Sequence, residues 1–361
     1  MRRIASVFRA RPSGPRVASL VPLPALPALY FPFQHIFYAM ISFLSTPGRT
    51  RRSLLLCSLA ALLAAVPPRA RSCACGCGIY EVGTDSMFPQ GAGRMAFLEN
   101  DFQDQDQNWR GDSRAPAADN PDRDIRTDFI TAGMQAMASR SWGLQLDVPY
   151  LRRHFATTGG ATGNDLVALD WSGVGDIRLQ AVYTGLASDL STGLTLGVKL
   201  PTGSSTHEDA FGDIDRDTEI GSGSTDLLLG AFHRGSLSQA PRWVWFTQAA
   251  LDLPAAIRDH YRPGAEIDAA IGIYYQAWTH GSSGLTPVLE FKASERASDR
   301  GANAASPVAS GFRRLLVAPG LEFAMGRVTC NAEVGLPVYQ DFTGNQLAAA
   351  VLAKLSASWH F

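Results

Sequence analysis

Leu347-Ala-Ala-Ala-Val-Leu-Ala-Lys-Leu-Ser-Ala-Ser-Trp-His-Phe361 ends the sequence. Leu347, Ala349, Val351, Ala353, Leu355, Ala357, Trp359 and Phe361 form one alternating set, and Ala348, Ala350, Leu352, Lys354, Ser356, Ser358 and His360 the other. Residues two apart share a face of a β-strand, so one face is an apolar ladder and the other is wetter. A ladder closing on a terminal aromatic fits the last strand of a membrane barrel, with its lipid-facing band and aromatic girdles. Leu355, Trp359 and Phe361 are therefore expected to act as the barrel assembly signal. The competing reading is an edge strand of a soluble sandwich, which also alternates.

The same period recurs upstream. In Trp142–Tyr150 the set Trp142, Leu144, Leu146, Val148 and Tyr150 alternates with Gly143, Gln145, Asp147 and Pro149. Leu194, Leu196, Val198 and Leu200 repeat it, as do Ile267, Ala269, Ile271, Ile273 and Tyr275. Strands are expected at 93–103, 125–138, 142–154, 175–185, 193–200, 225–233, 242–253, 266–278, 285–293, 312–325, 327–338 and 347–361. The count is even, and long polar linkers follow the odd strands (104–124, 155–174, 201–224, 254–265, 294–311, 339–346) while short turns follow most even ones. This points to an all-β fold, a transmembrane antiparallel up-and-down β-barrel of about 12 strands. Val148-Pro149, Leu200-Pro201, Leu253-Pro254 and Leu336-Pro337 are expected to end strands at one rim, where a missing N–H matters least.

The two faces differ in charge. The face expected inward carries Asp147, Asp176, Arg178, Lys199, Asp226, Asp252, Asp268, Glu290, Lys292, Glu322, Glu333 and Lys354, the candidate lumen-lining residues. The outward face carries almost none, as lipid requires: a midplane Lys or Arg costs about 2–4 kcal/mol. Mixed signs across such a lumen set up transverse fields that orient polar solutes yet let them leave.

Overall composition decides little. The chain has 361 residues, a net charge of -1 and 34 glycines, with no basic excess that would point to nucleic acid. Arg49, Arg51 and Arg52 precede the apolar run Leu54–Val66, followed by Pro67, Pro68 and Ala70. That is the pattern of a signal peptide over about 40–72, too short for a membrane helix. Residues 1–39 hold Pro22, Pro24, Pro27 and Pro32 in their apolar part, so Met40 is a candidate start and 1–72 as a whole a targeting region. The Arg51-Arg52 pair faintly resembles a twin-arginine signal, but a barrel travels unfolded, which favours the general secretory route. Residues 73–92 are then a Cys-rich periplasmic segment and 93–361 the barrel.

Four further features could carry chemistry. Cys73, Cys75 and Cys77 put three sulfurs within five residues, a possible site for a thiophilic metal such as Cu(I). A disulfide with a spare thiol, or lipidation of Cys73, are the other readings; Cys57 falls in the signal peptide and Cys330 stands alone. Asp213-Ile-Asp215-Arg-Asp217 resembles the start of a calcium loop, but Thr218 replaces the turn glycine and Ser224 the bidentate Glu. Asp101, Asp104, Asp106, Asp112, Asp119, Asp122, Asp124 and Asp128 make the first loop region acidic, as a solvated face or as a loop folded inward to attract cations. His154, His207, His233 and His260 with Ser172, Ser222 and Ser224 leave an outer-membrane hydrolase as an alternative, although no Gly-x-Ser-x-Gly elbow is present. No catalytic residue is assigned, and the chain is expected not to be an enzyme.

Gly175-Asp176-Ile177, Gly197-Val198-Lys199-Leu200-Pro201-Thr202-Gly203 and Ser224-Thr225-Asp226-Leu227 resemble the rim motifs of the outer-membrane family named for the meta-pathway of phenol degradation. The resemblance covers about 90–361 and implies a barrel in the bacterial outer membrane acting as a channel or transporter. The expected function is passive passage of a small solute, with a metal-binding or sensing protein using Cys73–Cys77 as the alternative. Expected partners are outer-membrane lipid and lipopolysaccharide, the barrel-assembly machinery and the solute. No cofactor is expected beyond a thiophilic metal at the three cysteines.

Overall fold

The computed structural model describes Pro89 and residues 92–361, apart from 160–164, 210–211, 215, 238, 303 and 305–308. The targeting region, Met40, Cys57, and Cys73, Cys75 and Cys77 lie outside the described residues.

Twelve long extended elements follow one another along the chain. They are β1 (Gly93–Gly111), β2 (Asp122–Met137), β3 (Trp142–Gly159), β4 (Asp165–Val174), β5 (Ile177–Tyr183) and β6 (Thr192–Leu200), then β7 (Ser224–Leu237), β8 (Ala240–Ile257), β9 (Glu266–Tyr275), β10 (Ser283–Arg296), β11 (Phe312–Met325) and β12 (Val328–His360). All pairings among these twelve are antiparallel and, apart from β3 with β5, join neighbours in sequence, and the ring closes where β12 meets β1, with Met95 opposite His360 and Asp101 opposite Lys354. Closure removes the free edges that a lipid-facing sheet could not tolerate.

Three elements set the number of wall positions. β4 and β5 share one: Val174 to Asp165 pairs with the upper half of β3, and Arg178 to Tyr183 with its lower half. β12 supplies two, because its first part pairs with β11 as far as Phe342 and its second part returns along β1 from Phe342 to His360. The return is made at Thr343-Gly344-Asn345, where Gly344 has φ +85° and spares a side chain the left-handed penalty. The closed wall therefore has twelve positions, with both ends of the described barrel together: Arg94 and Phe361 exchange backbone hydrogen bonds of 3.1 and 2.9 Å.

The outward face of this wall is apolar. Trp142, Leu144, Leu146 and Tyr150 are all exposed on β3, as are Leu194, Leu196, Val198 and Leu200 on β6. The nine residues from Trp142 to Tyr150 match the roughly 9–11 residues with which a tilted strand crosses a bilayer. Aromatic pairs gather at the end of the short turns: Trp142 with Tyr183 (4.5 Å between centroids), Trp243 with Tyr275 (4.7 Å) and Trp359 with Phe361 (5.0 Å). This is one aromatic girdle, and Leu355, Trp359 and Phe361 all belong to the outward band.

Several strands run past their expected ends. The stretch 155–174, read as a loop from its polarity, is strand on both sides of 160–164, and β1 continues to Gly111. Beyond the apolar band the outward face meets water and turns polar, so the lipid-facing ladder disappears from the sequence while pairing continues and the apolar side chains Ile125, Phe155, Leu169 and Trp171 lie inward. Charges then pair across the outer surface, as Arg126 does with Asp124 (2.7 Å) and His154 with Asp170 (2.9 Å). The stretch 339–346 is likewise a tight return rather than a long loop.

The proline expectation is corrected. Pro201 follows the end of β6, but Pro149, Pro254 and Pro337 lie within strands. Pro149 sits where β3 changes partner from β5 to β4, and Pro254 and Pro337 sit at register shifts, where the ladder already forgoes a hydrogen bond. The last strand needs a second correction: Leu347 and Ala349 are buried while Ala350 is exposed. Register shifts between Gln103 and Gln107 turn this end of β12, and its apolar side chains join interior clusters such as Ile125, Phe155 and Leu347.

Candidate channel interior

Inward side chains fill the barrel unevenly. In the sector formed by β1 and β9 to β12 they are densely packed. The Lys292 ammonium lies 3.0 Å from Glu290 and 2.7 Å from Glu333, and all three are at most 2% exposed. Lys354, fully buried, donates to Glu99 at 3.2 Å, and Tyr274 donates its hydroxyl to Glu290 at 3.0 Å. Ser294 donates to Asp268 at 2.5 Å. Taking such charges out of water is costly, and only their mutual contacts offset it.

Aromatic rings fill the sectors nearer the girdle by lying on glycines of the adjacent strand. A Cβ on Gly133 would come 2.0 Å from the Phe97 ring, one on Gly193 2.3 Å from Phe232 and one on Gly272 2.1 Å from Phe246. Phe232, Phe246, Ala270, Tyr274 and Val288 form one buried cluster there.

Bordering this sector and sharing its β1 and β9 side chains Glu99, Asp101 and Asp268, the interior opens into a cavity of about 310 Å³, within the size range of small-molecule sites. Asp147, Asp176, Arg178, Lys199, Asp252 and Asp268 contribute to its wall. Lys199 bridges Asp226 (2.5 Å) and Asp252 (2.6 Å), and Gln145 donates to both oxygens of Asp147 at 3.1 Å. Glu322 is half-buried on the inward face of β11, outside the cavity lining. The twelve inward candidates thus divide between the packed sector and the open one.

The rim motifs come together at one place. β6 stops at Leu200, opposite Ile177, and the chain turns off as the 201–223 loop. The Asp176 carboxylate accepts from the backbone N–H groups of Gly203 (3.0 Å) and Ser222 (2.8 Å) and from the Ser222 hydroxyl (2.6 Å). Thr202 donates its hydroxyl to the Gly175 carbonyl at 2.7 Å and accepts from the Ile177 N–H at 3.0 Å. Only glycine fits at Gly203 and Gly221, where a Cβ would come within 2.7 and 2.4 Å of the facing backbone. Asp176 is therefore a latch holding both ends of the loop to the wall. Each charge-assisted bond is worth about 1.5–3 kcal/mol. Asp176→Ala is expected to release the loop while leaving the barrel closed. Limited proteolysis should then cut within 201–223 in the variant and not in the parent protein.

Further along, the same loop is bound over the cavity. Arg153, buried on β3, donates to the carbonyls of Thr218 and Glu219 and to the Thr127 hydroxyl (3.1 Å). Arg216 donates to the Ser205 carbonyl (3.0 Å) and stacks over the Tyr261 ring at 4.9 Å. Tyr261 donates to Asp299 (2.6 Å), which also accepts from Arg296 (2.7 Å) and the Gly264 N–H (2.7 Å). Burial, with the Asp299 carboxylate beside it, holds the Tyr261 phenol far above its ordinary range, so it stays a donor. Three connections are thereby tied into one cap.

Sequence reading missed this cap, since its residues are far apart in the chain. It also missed Glu99, and it named Asp101 only as part of the acidic first loop region, although the alternation within 93–103 places both on the inward face with Phe97. Of the calcium-like loop, Glu219 accepts from the His207 N–H at 2.6 Å, and no group of three or more His, Cys, Asp or Glu side chains is gathered to hold a metal among the described residues. In the acidic first region, Asp101 faces the cavity whereas Asp104 and Asp124 lie near Arg126 on the outer surface. His207 stacks on Trp171, and His233 bonds the Thr192 hydroxyl at 2.7 Å.

No protein-family model matches the sequence, and no curated protein is similar to it in sequence. Solved structures are similar in fold. The crystal structure of an outer membrane channel from Pseudomonas putida F1 superposes with a TM-score of 0.58 at 12% identity, covering 78% of this chain and 100% of that one. The TodX monoaromatic hydrocarbon channel (TM-score 0.43, 11% identity, 74% and 90% covered) and the translocator domain of the autotransporter NalP from Neisseria meningitidis (0.40, 11%, 77% and 91%) are more distant. The chain has the fold of an outer-membrane β-barrel.

Proposed function

We propose that the protein is a bacterial outer-membrane channel through which a small polar solute passes by diffusion. The observation that carries this reading is a solvent cavity of about 310 Å³, walled by charged side chains, inside a barrel whose outer surface is apolar. A soluble barrel would reverse that distribution, and a structural anchor would have no need of an open polar interior. The fold likeness to the Pseudomonas channel supports the class, and the rim motifs support kinship with the meta-pathway family. In this reading the shared ends of the barrel face the periplasm, the cap faces outside, and the latched 201–223 loop sets access from above. The twelve inward candidates divide their work: Lys292, Glu290, Glu333 and Lys354 brace the packed sector, while Asp147, Arg178 and Lys199 line the route. Proteoliposomes carrying the purified full chain are expected to swell in isotonic solutions of small sugars and amino acids. Swelling no faster than empty vesicles, with a folded barrel shown by heat-modifiable gel mobility, would contradict the proposal.

A further inference from the structure

The cavity is not neutral. Among the described residues lining it, nine are acidic and five basic. The bases are already committed to protein groups, among them Lys199 to Asp226 and Asp252, Arg153 to loop carbonyls, Arg216 to Ser205 and the Tyr261 ring, and Arg296 to Asp299. The carboxylate excess therefore acts on whatever occupies the space.

Asp101 gives this excess a definite location. It lies on the cavity wall, is 7% exposed, and its Oδ1 has no hydrogen-bond partner among the described residues. Its cross-strand neighbour Lys354 bonds Glu99 through Oε2, while the other oxygen of Glu99 is also without a partner there. A buried carboxylate oxygen left unbonded is costly unless a ligand cation or its water completes it. Phe129, opposite Asp101 on the next strand, and Phe97 and Leu228 elsewhere in the lining add apolar surface to the same cavity, suited to the carbon body of an organic ammonium ion.

We infer that this chamber passes small cations, inorganic and organic ammonium ions alike, in preference to anions, and that Asp101 sets the preference; this rests on the channel reading above. A cleft with low-dielectric walls and one excess sign concentrates counter-ions by about tenfold or more. Acidic side chains around a passage give the same selection in cation pores.

The test is the reversal potential of the purified full chain in planar bilayers across gradients of potassium chloride and of tetramethylammonium chloride. A reversal of the cation's sign with both salts is expected, with a cation-to-anion permeability ratio of about ten or more. Asp101→Asn should lower that ratio severalfold and Asp101→Glu should keep it; Asp147→Asn, on another wall, should also lower it if Asp101→Asn does not fold. Chloride-signed reversal would overturn this inference and leave the channel reading standing. An unchanged ratio in a folded Asp101→Asn barrel would overturn the assignment to Asp101. A folded barrel without current steps would overturn the channel reading itself, and this inference with it.

Discussion

Arginine at Leu355 is expected to destabilise the barrel by about 2–4 kcal/mol, enough to abolish most of the heat-modifiable form. Leu355 lies on the outward face of β12 and is 57% exposed. It stands four residues from Trp359 in the aromatic girdle, and at about 3.3 Å rise per residue on a tilted strand this places it near the middle of the apolar band. A guanidinium there has neither water nor a partner. Lys354, one residue earlier, carries its charge at no such cost because the alternation turns it inward to Glu99. Urea titration in lipid vesicles checks the value, with Leu355→Phe as the volume control. A change below about 0.5 kcal/mol would mean that this surface does not meet lipid.

Lys292→Met is expected to have a comparable effect from the opposite face. It removes the ammonium that bridges Glu290 and Glu333, leaving two carboxylates buried beside each other. Breaking a buried ion pair from one side costs about 3–5 kcal/mol, because the remaining charge is uncompensated. The loss should be partly recovered in the double variant Lys292→Met with Glu333→Gln, since removing both partners removes the orphan charge. The same urea titration measures both, and strict additivity of the two substitutions would show that they do not share a network.

These two predictions mark what sequence can and cannot disclose in such a fold. Wherever a strand crosses lipid, its outward side chains must be apolar and its inward ones are free to be polar, so Trp142–Tyr150 and Gly193–Leu200 were legible residue by residue. Above the lipid that constraint ends. The strand halves around 160–164 carry no apolar outward ladder, since Val167, Leu169 and Trp171 lie inward and Asp170 and Ser172 outward, and their pairing continues the registry already set below. Bulges break the rule differently: a register shift near Gln105 moves Leu347 and Ala349 to the inside without altering the local pattern. The inward charges followed from period alone, and Glu99 and Asp101 were available by the same rule. The latch and the cap were not. Asp176, Gly203 and Ser222, or Arg216, Tyr261 and Asp299, meet only because loops fold back over the interior, and no local period records that.

The most direct test of the account is a thiol scan of β6 in a background without native cysteines. Single cysteines at 194, 196, 198 and 200, each carrying a fluorescent label, should be quenched by a lipid-borne quencher, and those at 195 and 199 should instead react with a small water-soluble thiol reagent in folded, vesicle-inserted protein. That two-residue period would establish a lipid-facing wall around an aqueous interior. Loss of the period, or its reversal, would contradict the barrel facing on which the channel, the latch and the cation preference all depend.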